Sequence, residues 1–97
     1  MNQPEITEAA LGRVDPDETR DARLKRMKIR SWRRGIKEMD LILGPYADAE
    51  LAGMGDAALD LFDALLLEND QDLYQWVSGQ ADPPGQFSDL IRVLSRG

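Results

Sequence analysis

Between Asp56 and Asn69 the chain reads DAALDLFDALLLEN, an apolar pattern at three- and four-residue spacing. Ala58, Leu59, Phe62, Leu65 and Leu66 share one face of the helix this predicts, and Asp60 and Asp63 lie on another. A single helix of this length is marginal in water and gains its stability by burying the apolar stripe. The surface that buries it must itself be helical. The chain has no alternating Val/Ile/Thr run and no Asn-Gly hairpin that would announce strands.

Four further segments carry helical patterning. At DPDE, Asp15 is placed to cap a helix, Pro16 suits its first turn and Glu18 completes a capping-box-like spacing. That helix runs to Arg33 or Arg34 and sets Ala22, Leu24, Met27, Ile29 and Trp32 among its bases, so it has one contacting stripe and a wide solvated face. After Gly35 a second helix repeats Ile36, Met39, Leu43 and Tyr46. Gly44-Pro45 predicts a kink or a short interruption within it. Asp56 caps the third helix. A short fourth helix, capped by Asn69 or Asp70, turns Leu73, Trp76 and Val77 inward and stops at Gly79. The last carries Phe87, Leu90, Ile91 and Leu94. Trp76 and Phe62 read as core. The expectation is an all-α, compact five-helix bundle: residues 1–15 a flexible acidic tail, residues 16–97 a single domain.

Charge is distributed unevenly. From Arg20 to Lys37 there are nine basic residues and one acid, whereas from Glu38 to Asp89 every charged residue is acidic. The basic helix either balances an acidic body within the fold or presents a strip to nucleic acid, anionic lipid or an acidic protein. Patterning leaves both open.

The residue inventory narrows the chemistry. With no Cys and no His, the chain lacks thiol chemistry, the commonest general base and the commonest zinc ligand. No metalloprotease, phosphate-loop, nucleophile-elbow or EF-hand motif is present. Asp70 and Asp72 have a spacing open to a weakly held divalent ion, but helix capping accounts for them better. No catalytic residue and no metal site is assigned. No stretch is long and apolar enough to span a bilayer. The N-terminal residues have neither the basic start and apolar block of a secretory signal nor the acid-poor character of a transit peptide. A cytoplasmic protein is expected.

Gly35 interrupts helical patterning at RRGIKE. As a helix junction it would adopt positive φ and re-aim the chain. As a contact point it would let a partner's backbone approach, with Arg34 and Glu38 supplying a charged donor and acceptor on either side. Glu38 lies in the first turn of the second helix, where the dipole favours an anion.

The stretch RSWRRGIKEMDLILGPYAD resembles the RGxxE signature of the succinate dehydrogenase flavoprotein assembly factor family (SdhE-like, with mitochondrial relatives). The motif is Arg34, Gly35, Ile36, Lys37, Glu38, with Ser31 and Arg33 upstream and Asp40 downstream as family members have them. Trp32 departs from the polar or basic residue expected there. The downstream block LFDALLLENDQDLYQWV is similar too, so the likeness runs from Leu24 to Leu94. It implies a helical protein that is not an enzyme. Such a protein binds the flavoprotein subunit of succinate dehydrogenase, in some bacteria that of fumarate reductase, and promotes covalent attachment of FAD to a histidine there. Arg34, Gly35, Glu38, Arg33, Ser31 and Asp40 would form the partner-binding face. The factor would work as a monomer, hold no cofactor stably and act on the FAD of its client by positioning. Free FAD is not expected to bind, because no dinucleotide-binding glycine pattern follows a strand. The alternative is a small helical adaptor that uses the basic helix 20–37 to bind nucleic acid or an acidic protein.

Overall fold

A computed structural model describes residues 17–96, so the expected tail and the caps at Asp15 and Pro16 lie outside the described residues. Among those described there are five α-helices and no strand: α1 Arg20–Trp32, α2 Lys37–Glu50, α3 Asp56–Leu66, α4 Asp70–Val77 and α5 Ser88–Arg96. Tight helical turns at Leu51–Gly53 and Gly85–Phe87 lead out of α2 and into α5. The first helix starts later than DPDE predicts. Thr19 is its cap, the hydroxyl accepting the Ala22 amide at 3.1 Å.

The helices α1 and α2 pair along their length, α3 packs on α1, and α4 and α5 close the bundle against α2. The predicted stripes meet at its centre. Met39 and Leu43 of α2, Phe62 and Leu65 of α3 and Leu73 of α4 are fully buried. Phe87 stacks on Trp76 with ring centroids 6.1 Å apart, and Leu90, Ile91 and Leu94 of α5 are buried beside it. Gly79 ends α4 with φ +84, and the Gln80 amide returns to the Gln75 carbonyl at 2.8 Å.

Two features depart from the periodic reading. Ala58, placed on the core face, is exposed, whereas Asp63, placed on a polar face, is buried. The reason is α1. Its basic side lies against the acidic side of α3: Arg23 pairs with Asp60 at 2.7 Å and with Asp63 at 3.3 Å, and Arg26 pairs with Asp63 at 2.7 Å and Glu18 at 2.8 Å. Arg20 reaches Asp56 at 4.0 Å. Both Arg23 and Arg26 are raised above the usual arginine pKa. For Arg23, burial pulls downward but Asp60 and Asp63 outweigh it; for Arg26, the Asp63 hydrogen bonds dominate. Much of the basic strip is therefore used within the fold.

The second concerns Gly44-Pro45, where the helix runs on through the pair with no interruption. Pro45 removes an amide donor on the side of exposed Leu41, where water can serve the carbonyl left over. Gly44 has a packing role: a Cβ there would lie 2.3 Å from Cδ2 of Trp32. The indole rests on the bare backbone of α2 and donates its Nε1–H to Asp48 at 3.2 Å. Gly44→Ala gains about 1 kcal/mol of helix propensity but forces the α1–α2 pair apart, which costs about 1–3 kcal/mol. A thermal melt is expected to fall by about 5 °C; an unchanged or higher Tm would show that the indole moves aside freely.

Candidate functional site: the Arg34–Gly35 junction

The chain leaves α1 through Arg33, at φ −125 and ψ 59, and enters α2 at Lys37. Gly35 does not hold the positive φ expected of it; among the described residues only Gly79 does. What Gly35 supplies is space. A Cβ there would stand 2.9 Å from Oδ2 of Asp70, the same oxygen that accepts the Gly35 amide at 2.5 Å.

Arg34 explains why Asp70 is there. Its side chain is 2 % exposed, and its Nε donates to the other Asp70 oxygen at 2.6 Å. Its terminal nitrogens donate to the carbonyls of Leu66 at 2.8 Å and Glu68 at 3.0 Å. The guanidinium therefore sits at the carboxyl end of α3, and Asp70 sits in the first turn of α4. Each charge lies where the helix dipole favours it. The Arg34 amide donates to Asp40 at 2.5 Å, which ties the turn to the start of α2. One residue thus joins the α1–α2 and α3–α4 junctions.

The six residues predicted to form a partner-binding face divide into two sets. Gly35, Arg33 and Glu38 are exposed, and neither Arg33 nor Glu38 is bonded to another described residue through its side chain. Ser31 is fully buried and donates to the Met27 carbonyl at 2.8 Å. Arg34 and Asp40 carry the turn from behind. The guanidinium expected to reach outward beside Gly35 is turned inward, because each of its three nitrogens donates to an acceptor in the α3–α4 junction.

Asp70 was legible as a helix cap or, less well, as a weak cation ligand with Asp72. Asn69 takes the capping role, accepting from Gln71 at 2.8 Å. The carboxylate of Asp70 is left for a pair 36 residues away, a distance no local pattern reports.

Residues 25–96, which include this whole arrangement, match the family described as flavinator of succinate dehydrogenase. The chain belongs to that family. Among its relatives, succinate dehydrogenase assembly factor 2 of Schizosaccharomyces pombe, a mitochondrial protein, is 38 % identical over 95 residues, covering 95 % of this chain and 68 % of the relative. The assembly factor 2 of Meyerozyma guilliermondii is 35 % identical over 102 residues, covering 96 % of this chain and 76 % of the relative. The FAD assembly factor SdhE of Legionella pneumophila is 32 % identical over 74 residues, 76 % of this chain and 94 % of the relative. The family match begins within α1 and takes in both sides of the Arg34–Asp70 clasp. No helix among the described residues is long and apolar enough to cross a membrane.

Proposed function

We propose that this protein binds the flavoprotein subunit of succinate dehydrogenase, or the related fumarate reductase subunit, and promotes covalent attachment of FAD to it. It acts as a cytoplasmic monomer, with no catalytic chemistry and no stably bound cofactor of its own. The observation that carries this reading is the Arg34–Gly35 junction. An exposed, side-chain-free backbone is flanked by Arg33 and Glu38, and the buried Arg34–Asp70 clasp holds it from behind.

Such a surface can meet a client closely at Gly35 and offer a cation and an anion on either side. Its contribution is to favour the client arrangement in which the flavin and its attachment residue meet, which is catalysis by positioning. The flavin and the client supply the bond-forming groups. The basic-helix alternative is weakened, since Arg20, Arg23, Arg26 and Arg34, four of the nine basic residues from Arg20 to Lys37, are paired with carboxylates of this chain.

Glu38→Ala is the cleanest test, because Glu38 is exposed and its side chain bonds to no described residue. Cells lacking the protein would be complemented with wild type, Glu38→Ala or Gly35→Arg. Flavin fluorescence of the succinate dehydrogenase flavoprotein subunit would then be read in a denaturing gel. Wild type is expected to restore the signal and Glu38→Ala to leave it several-fold lower with the variant folded and present at normal levels. Equal covalent flavin in every strain, the deletion included, would overturn the reading.

A further inference from the structure

We infer that Arg30 is a receptor for a carboxylate of the client protein, extending the binding face from Gly35 back along α1. This rests on the function proposed above.

Arg20, Arg23, Arg26 and Arg30 form a row, recurring at three- and four-residue spacing along one side of α1, followed beyond the helix end by Arg34. Every member but Arg30 has a carboxylate of this chain within 4.0 Å. Arg30 has none among the described residues. Its Nε is buried and has no hydrogen-bond partner, alone among the buried side-chain nitrogen and oxygen atoms described. A buried unsatisfied donor in a native fold calls for an explanation, because leaving it unmade costs stability.

The surroundings sharpen the point. Burial lowers the Arg30 pKa, the neighbouring Arg34 charge lowers it further, and Asp70 only partly opposes them. Asp70 is already shared between Arg34 and Gly35. The guanidinium therefore lies near Arg34 and Asp70 as a half-buried cation with no carboxylate in salt-bridge reach among the described residues.

A planar fork in this state matches a carboxylate, which can accept two parallel hydrogen bonds from it. An Asp, a Glu or a chain terminus on the client would pair with the terminal nitrogens of this half-exposed side chain and offset the cost of the charge whose Nε the fold leaves unbonded. The junction also shows apolar surface suited to a protein partner: Leu67, between the two carbonyls that Arg34 holds, is 48 % exposed. An apolar flank beside a charged group is the usual make-up of an interface anchor.

The test uses the full chain and the purified flavoprotein subunit of succinate dehydrogenase, with Kd and Tm measured for wild type, Arg30→Met and Arg30→Lys. Arg30→Met is expected to melt at or above the wild-type temperature, since it removes an uncompensated charge while keeping the volume. It is expected to bind about tenfold more weakly, with Arg30→Lys between. Wild-type binding with Arg30→Met within twofold of it would overturn the inference and leave the proposed function standing. A clearly lower Tm for Arg30→Met would overturn it too, by showing that the fold already satisfies Arg30. Absence of wild-type binding would remove both readings. An Arg30-dependent affinity for a short single-stranded DNA, falling steeply with salt, would assign the cation to phosphate instead and overturn the inference.

Discussion

Arg34→Ala is expected to destabilise the protein by about 3–4 kcal/mol, the cost typical of breaking a buried ion pair by removing one partner. The substitution leaves the Asp70 carboxylate, 18 % exposed, without its cation. It also leaves the carbonyls of Leu66 and Glu68 without their donors at the end of α3. A domain of this size has roughly 5–10 kcal/mol in total, so a fall in Tm of more than about 10 °C should accompany the change. Urea unfolding of wild type, Arg34→Ala, Asp70→Ala and the double variant would give the coupling between the two directly. A loss under about 1 kcal/mol would class the pair with surface salt bridges and dismiss the clasp. The result bears on how losses at this site are read. An Arg34 variant that fails in cells fails first as a fold, whereas a Glu38 variant that fails does so on an intact surface.

The second large effect is expected at Asp63. Its side chain is 3 % exposed and accepts from Arg26 twice, at 2.9 and 2.7 Å, and from Arg23 at 3.3 Å. In Asp63→Ala these guanidiniums keep Glu18 and Asp60, the latter 70 % exposed. The loss should therefore fall at the lower end for a buried pair, about 3 kcal/mol. It should change little between low and high salt, because buried charges are poorly screened. Denaturant unfolding at two ionic strengths checks both statements. A small loss that vanishes in salt would mean that the α1–α3 contact is held by its apolar residues alone.

These two residues also mark what the sequence conveys and what it does not. The stripes of α2, α3 and α5 were legible because apolar residues at helical spacing face an apolar core, and Met39, Leu43, Phe62, Leu65 and Ile91 lie where that rule puts them. Asp63 was misplaced because periodicity separates apolar faces from polar ones. It does not separate a polar face in water from one against an oppositely charged helix, here 37 residues earlier at Arg26. The same limit governs the junction. Its position at Gly35 could be read from the break in patterning. That Arg34 turns inward depends on Asp70 and on two carbonyls that any residue would present. Gly44 looked like a breaker because its reason, the Trp32 ring, comes from another helix.

The Arg34–Asp70 clasp also bears on how a complex at this face would end. Both sides of the turn are tied to the packed ends of α1, α2, α3 and α4. A surface of this kind enters an encounter already ordered, so little conformational entropy is lost there on docking. The same rigidity removes one route to dissociation. The turn cannot loosen without disturbing the bundle, so a partner docked there would leave an unchanged surface at a rate set by the contacts across the interface.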